Sequence, residues 1–167
     1  MESRLEARTI REIMTPSPVT VRPAASVAEL QARFATHDFN AFPVTDADGI
    51  LRGVVTKLDV LRLLAPERFR WIPDVRAPRA ECIDDLMTRD VITVGPDDSV
   101  ATAVDRMVAY GLRSLPVVER RQGRPVLVGI VSRQDVLCCL TLEPVRDNRA
   151  DTPQARGSSG SASWAPG

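Results

Sequence analysis

Residues 14–27 read MTPSPVTVRPAASV, and residues 87–100 read MTRDVITVGPDDSV. The two stretches align without a gap at an offset of 73 residues, and this offset holds over 35 positions with 12 identities. The register then slips by three residues, after which GVVTKLDVL (residues 53–61) matches GIVSRQDVL (residues 129–137). A tandem repeat of this length predicts two similar units that are each too small to bury an adequate core alone. We therefore expect the units to pack on one another.

The composition predicts one compact body with a core of Val, Leu, Ile and Ala, because 44% of the residues are apolar but only 4% are aromatic. The 22 basic and 22 acidic residues cancel, which removes the broad attraction that sequence-independent nucleic-acid binding needs. No apolar run approaches the roughly 20 residues of a membrane-spanning helix. The charged first residues lack the apolar stretch of a secretory signal. We therefore expect a cytoplasmic protein without a membrane partner, and nucleic-acid regulation is disfavoured.

Residue types that support catalysis or metal binding are sparse. His37 is the only histidine, and the three cysteines (Cys82, Cys138 and Cys139) lack zinc-site spacing. No phosphate-binding glycine motif and no nucleophile–base pair stands out. We predict no catalytic residues and no metal site. The adjacent Cys138 and Cys139 have two interpretations, apolar packing on a helix or a redox contact between subunits.

Each repeat reads as strand, helix, strand, strand, helix. In the first unit a short strand covers residues 19–21, and Ser26 opens a helix whose Glu29 predicts a capping box. The hairpin of each unit is expected to turn at residues 46–49 and at residues 119–125, respectively. The three extra residues of the second copy are assigned to this turn, where insertions cost least.

The chain divides into five segments on these patterns. They are an N-terminal extension (1–9), the first repeat (10–64), a proline-containing linker (65–82), the second repeat (83–140) and a C-terminal tail (141–167). The tail loses the apolar pattern and is expected to be disordered. Its Trp164 is either a docking anchor or part of an inert tail, and the role of the tail is left open.

Met-Thr-x-x-Val-x-Thr-Val-x-Pro, then a helix, Pro-Val and Gly-x-Val-(Thr/Ser)-x-x-Asp, resembles the CBS domain, named after cystathionine β-synthase. Two copies in tandem resemble a Bateman module. The resemblance implies an α/β (α+β) fold of two β-α-β-β-α repeats, paired through their sheets with pseudo-two-fold symmetry. It also implies clefts between the repeats that hold AMP, ADP, ATP or S-adenosylmethionine as a regulatory ligand, with no required cofactor.

The resemblance assigns a role in these clefts to residues of both copies. Asp59 and Asp135 match the acid that accepts hydrogen bonds from the ribose hydroxyls. Thr56 and Ser132 open a helix whose free N–H groups can face a phosphate. The matching backbone stretches for the adenine edge are Val19 with Thr20 and Ile92 with Thr93. The same Thr-x-x-Asp and Ser-x-x-Asp patterns are also ordinary helix caps, and both interpretations stay open.

Positive charge for a phosphate has five candidates. Lys57 and Arg133 occupy equivalent positions in the two copies, as do Arg33 and Arg106 on the first helices. Arg113 matches a basic position of the family, and the first copy has Asn40 there, which favours a more highly phosphorylated ligand at the Arg113 site. Each of these side chains can equally be a solvated surface residue.

The leading hypothesis is a regulatory module without enzymatic activity. It would bind an adenosine derivative and alter its contact with a protein target that the sequence does not identify. The alternative is a structural dimerisation module with empty clefts. In both cases we expect a homodimer, by analogy with Bateman modules.

Overall fold

The computed structural model describes residues 2–64 and 81–141. The predicted tail with Trp164 and nearly all of the predicted linker lie outside these residues. The helices are α1 (Glu2–Ala7), α2 (Ile10–Ile13), α3 (Val27–Thr36), α4 (Lys57–Leu64), α5 (Val100–Ala109) and α6 (Arg133–Thr141), with a 3-10 turn at Ile83–Asp85. The strands are β1 (Thr15–Pro16), β2 (Ala41–Thr45), β3 (Leu51–Thr56), β4 (Ser114–Arg121) and β5 (Arg124–Ser132).

The first long helix of each repeat begins at the predicted serine. Ser26 Oγ accepts a hydrogen bond from the Glu29 backbone N–H (3.2 Å), and Ser99 does the same for Thr102 (3.2 Å). The Glu29 carboxylate does not return a bond to Ser26 but accepts one from Arg33 at 3.3 Å. The predicted capping box is therefore half formed, because the Glu29 carboxylate pairs with Arg33, one turn further along the helix.

The hairpins differ from prediction in the second copy. β4 and β5 continue as paired strands to Arg121 and Arg124, so most of the expected turn is extended backbone. The reversal is made by Gln122 and Gly123, both with positive φ (52° and 77°), which fits the twist of a two-residue hairpin. The extra residues lengthen the hairpin because a two-residue turn lets them form ladder hydrogen bonds.

The predicted strand at residues 19–21 is reduced to one bridge. Val21 pairs in parallel with Val44, and Val94 pairs with Val117 in the same way. Prolines at 18 and 23 bracket the first of these segments, and proline cannot donate to a strand ladder. Only Val21, the last residue of the predicted segment, therefore joins the hairpin.

Two apolar cores form, and each receives an isoleucine from the leader of the other repeat, which is the segment at its start (residues 10–16 or 83–89). Ile10 is fully buried among residues of the second repeat, including Val100 and Leu115. Ile83 is fully buried among residues of the first repeat, including Leu30 and Phe42. The leading segments are thus exchanged between the repeats, and neither core is complete without the other repeat's leader.

Backbone hydrogen bonds hold the exchanged segments in place. β1 pairs with β5 of the second repeat, and Thr88 bridges Val54 of the first. A β-carbon on Gly53 would lie 2.8 Å from Thr88 O and 2.7 Å from Met87 Sδ, and one on Gly129 would lie 2.6 Å from Met14 Sδ. Both glycines of the repeated motif therefore make room for the leader of the opposite repeat.

A carboxylate fixes the entry to each leader. Glu12 accepts hydrogen bonds from the Thr9 N–H and hydroxyl (3.2 and 3.1 Å), and the bond from this backbone N–H lowers the pKa of Glu12. Asp85, the equivalent residue, accepts from the N–H groups of Cys82 and Glu81, and the bond from Cys82 lowers the pKa of Asp85. Both leaders are thereby turned so that the following isoleucine points into a core.

The fold confirms the predicted pair of β-α-β-β-α repeats. The hairpins of the two repeats also meet directly at Ile50 and Val126, which form an antiparallel bridge. None of the helices in residues 2–64 and 81–141 has the length and apolar character needed to cross a bilayer. No disulfide joins Cys82, Cys138 and Cys139, and Cys138 is exposed. Apolar packing against the described residues therefore does not account for Cys138.

Candidate functional site

A cavity of about 650 Å³ lies between the two repeats. The first repeat contributes the start of β2, the end of β3 and the first two turns of α4. The second contributes Thr88, residues 90–92, the segment leading into β4, and residues of β4 and β5. The exchange explains this pairing, because the Thr88–Val54 bridge places residues 88–92 beside the end of β3. The volume falls within the usual range for small-molecule sites.

Thr56 and Asp59 cap the helix at the wall of this cavity. Asp59 Oδ2 accepts hydrogen bonds from the Thr56 N–H (2.8 Å) and hydroxyl (2.7 Å), and Thr56 Oγ1 accepts one from the Asp59 N–H (3.2 Å). Asp59 Oδ1 lies 3.6 Å from Arg62 Nη1. The acid is therefore engaged on both oxygens, and its side chain is only 13% exposed.

The second copy repeats the cap without the ion pair. Asp135 Oδ2 accepts from the Ser132 N–H and hydroxyl, both at 2.7 Å, and Ser132 Oγ accepts from the Asp135 N–H (3.2 Å). Cys138 stands where the first copy has Arg62. The capping interpretation therefore holds for both acids, and Asp135 lacks the arginine that engages the second oxygen of Asp59.

The two predicted base-reading stretches are each held by an equivalent arginine. Arg33 Nη1 donates to Thr20 O (3.4 Å), and Arg106 Nη1 donates to Thr93 O. Ile92 lines the cavity, and its backbone N–H and C=O have no hydrogen-bond partner in residues 2–64 and 81–141. These two groups are available to a ligand.

The candidate cations differ in how far they are engaged. Lys57 Nζ lies 3.6 Å from Asp38 Oδ1 and 6.0 Å from the centre of the Phe34 ring. Arg133 Nε donates to Leu112 O (2.8 Å). Arg113 is exposed at the cavity and forms no ion pair with the described residues. Arg113 is therefore the candidate cation with the most freedom to meet an anionic ligand.

Of the predicted site residues, the structure brings four together in the cavity wall: Thr56, Lys57, Ile92 and Arg113. The others do not line this cavity: Val19, Thr20, Asp59, Thr93, Ser132, Arg133 and Asp135. Sequence reasoning missed Asp90, which adds a negative charge to the wall, and the apolar side chains Leu58 and Leu61. The spacing of Leu58 and Leu61 on α4 carried a helical signal, whereas nothing in the pattern marked Asp90.

Two α/β repeats with exchanged leaders and a cleft between them define a paired-repeat module. The family model for the CBS domain matches residues 10–66 and 83–141, so the chain belongs to the CBS domain family.

Relatives of this chain include short and long proteins. It is 28% identical over 129 residues to the CBS domain-containing protein YhcV of Bacillus subtilis, covering 77% of this chain and 82% of that protein. It is 32% identical over 128 residues to an uncharacterised protein of Methanocaldococcus jannaschii, covering 77% of this chain and 41% of the relative. The chain spans only 22% of the L-aspartate semialdehyde sulfurtransferase of the same organism, to which it is 28% identical over 127 residues, or 76% of this chain.

Solved structures share the fold and include ligand complexes. CBSX2 in complex with AMP superimposes with a TM-score of 0.66 at 27% identity, covering 80% of this chain and 96% of that one. The CBS domain pair of protein MJ0100, in complex with 5′-methylthioadenosine and S-adenosyl-L-methionine, gives 0.65 at 26% identity, covering 80% and 95%. These likenesses confirm the predicted architecture.

Proposed function

We propose that this chain is a regulatory module that binds an adenosine derivative in the cleft between its repeats and thereby alters its contact with a protein partner. The ligand would be AMP, ADP, ATP or S-adenosylmethionine. CBS domain pairs are generally regulatory, and the complexes of CBSX2 and MJ0100 with adenosine compounds support this ligand class. The module acts without catalysing a reaction.

The observation that carries the proposal is the chemistry of the cavity wall. Arg113 offers an exposed guanidinium to a phosphate, and the Ile92 backbone offers one donor and one acceptor. Leu58 and Leu61 supply the apolar surface that a base needs. These groups match the phosphate, the edge and the face of an adenine nucleotide.

A homodimer in the cytoplasm is the proposed form of the protein. Leu137 is 56% exposed on α6, and Val108 is 76% exposed on α5. Such apolar side chains favour burial against a second copy. The lack of a disulfide among Cys82, Cys138 and Cys139 fits a reducing compartment.

Thermal unfolding with AMP, ADP, ATP, NAD and S-adenosylmethionine tests the proposal. A ligand at 100 times its dissociation constant should add about 2.7 kcal/mol to the free energy of unfolding. Arg113→Ala should weaken binding of a phosphorylated ligand by about one to two orders of magnitude, since a charge-assisted hydrogen bond is lost. Arg124→Ala, an exposed arginine on the β4–β5 hairpin outside the cavity wall, is the matched control and should bind as the wild type does.

The second candidate function is a structural dimerisation module with an empty cleft. The specific observation in its favour is that both predicted ribose acids already cap helices, and Asp59 is also paired with Arg62. Unchanged unfolding temperatures with all five ligands would favour this function and contradict the first.

A further inference from the structure

The segment at residues 91–93 is fixed at its two ends and open in its middle. Before it, Thr88 exchanges hydrogen bonds with Val54 (both 2.9 Å), and after it, Val94 donates to Pro116 O (3.1 Å). Ile92 lies between these anchors, at the cavity, with both backbone groups unpaired among the described residues. The direction of the Ile92 N–H and C=O therefore depends on what holds the peptide group of Thr93, the next residue.

Arg106 holds that peptide. From the last turn of α5 its guanidinium donates to Thr93 O and lies 3.8 Å from Asp98 Oδ2. Asp98 Oδ2 in turn accepts from the Gly95 N–H (2.8 Å). One arginine thus ties the end of the cavity segment to the loop that follows it, and α5 provides a rigid base for both.

The first repeat contains the same arginine in a different setting. Arg33 donates to Thr20 O, but neither Thr20 nor Val19 lines the cavity. Ala25 stands where the second repeat has Asp98, and Arg33 pairs instead with Glu29 on its own helix (3.3 Å). The two arginines therefore share the bond to a backbone carbonyl but differ in their acidic partner, and only the peptide held by Arg106 adjoins a residue that lines the cavity.

We propose that Arg106 is a positioning residue that sets the base specificity of the cleft by fixing the orientation of the Ile92 backbone. The proposal rests on the proposed function. Adenine presents an amino donor and a ring-nitrogen acceptor on one edge, and the Ile92 C=O and N–H can satisfy both. Hypoxanthine presents the reverse arrangement on that edge. A fixed segment rejects it, because a buried mismatch leaves polar groups unpaired.

Calorimetric titration of the full chain with AMP and with IMP tests this role. In Arg106→Ala the segment samples other orientations, and the apparent dissociation constant rises by the inverse of the competent fraction. We expect AMP to bind about tenfold more weakly and the AMP-to-IMP preference to shrink by a similar factor. Arg106→Lys, which keeps one donor, should restore part of both.

Arg33→Ala is the matched control, because it removes the equivalent contact away from the cavity. Both alanine variants should lower the unfolding temperature, and only Arg106→Ala should change AMP affinity and base preference. A folded Arg106→Ala protein with wild-type AMP affinity and base preference would overturn the inference while leaving the proposed function intact. An Arg33→Ala protein that loses as much AMP affinity and base preference as Arg106→Ala would also overturn the inference. A wild-type chain that binds none of the adenosine ligands overturns both proposals.

Discussion

Asp59 and Asp135 each cap a helix, and each is also the residue predicted to accept hydrogen bonds from a ribose. In each, Oδ2 receives two hydrogen bonds from the residue that begins the helix. Oδ1 faces an arginine in the first copy, whereas the second copy has Cys138 in place of that arginine. A ribose hydroxyl that approaches Asp59 would compete with Arg62 for Oδ1. At Asp135 a ribose hydroxyl would meet no arginine at the equivalent position, because Cys138 stands there. The retained acid alone is therefore weak evidence for a ligand.

Comparing Asp135→Ala with Asp135→Asn separates the hydrogen-bond acceptor that caps α6 from the charge of the carboxylate. Loss of the cap leaves the Ser132 N–H without its acceptor and should lower the free energy of unfolding by about 0.5–2 kcal/mol. Asp135→Asn keeps an oxygen at that position and should retain most of the stability. Urea unfolding of both variants measures the difference. An asparagine variant as unstable as the alanine variant would show that the carboxylate charge, and not the acceptor, stabilises α6.

At the scale of elements, the repeated glycines explain how leader and hairpin fit. Gly53 and Gly129 each face a methionine of the opposite leader at distances that a β-carbon would violate. The Met-Thr and Gly motifs of this chain are thus two halves of one contact, made twice.

Gly53→Ala should therefore strain the first repeat. The added methyl group would meet the backbone Thr88 O at 2.8 Å, which cannot move without breaking the bridge to Val54. Overpacking of this kind costs about 1–3 kcal/mol. Gly95→Ala is the control, since its nearest atoms lie at 3.5 Å. Chemical denaturation should show a lower midpoint for the first variant only, and equal midpoints would contradict the proposed close approach.

Helices and hairpins of this chain could be predicted because their signals are local. Ser26 and Ser99 begin helices as expected, and the turn after Thr45 lies where Gly49 permits it. The exchange of leaders could not be predicted. Both copies carry the same Met-Thr motif and the same Gly. The sequence pattern is therefore satisfied equally well whether a Met-Thr motif contacts the Gly of its own repeat or that of the other repeat.

The same ambiguity limited the prediction of the site. Motif matching assigned roles to both copies alike, but the exchange places Ile92 of the second repeat beside Thr56 of the first. Which residues share a cleft depends on the long-range bridge of Thr88 to Val54. Asp90 belongs to no recognised motif. Its position in the cavity wall follows from the bridge of Thr88 to Val54, which the sequence does not reveal.

On the scale of the whole molecule, apolar side chains remain at the surface of α4, α5 and α6. Leu137 is 56% exposed on α6, where burial against a second copy would remove it from water. We predict that light scattering gives twice the chain mass of 18.3 kDa at micromolar concentration. Leu137→Glu should shift the mass toward one chain, because burying an unpaired charge is costly.

Gln122→Glu, at the tip of the β4–β5 hairpin, adds the same charge outside the helices and should leave the mass unchanged. A wild-type mass near 18.3 kDa would contradict the dimer.

The exchanged leaders have a consequence for the ancestry of the chain. A polypeptide with a single repeat would expose the groove that receives the isoleucine and would carry an isoleucine with no groove of its own. Two such polypeptides could satisfy each other by trading leaders, as in domain swapping. The present chain is equivalent to that swapped pair joined end to end. Its two halves, severed between residues 65 and 80, should therefore reassemble by fragment complementation.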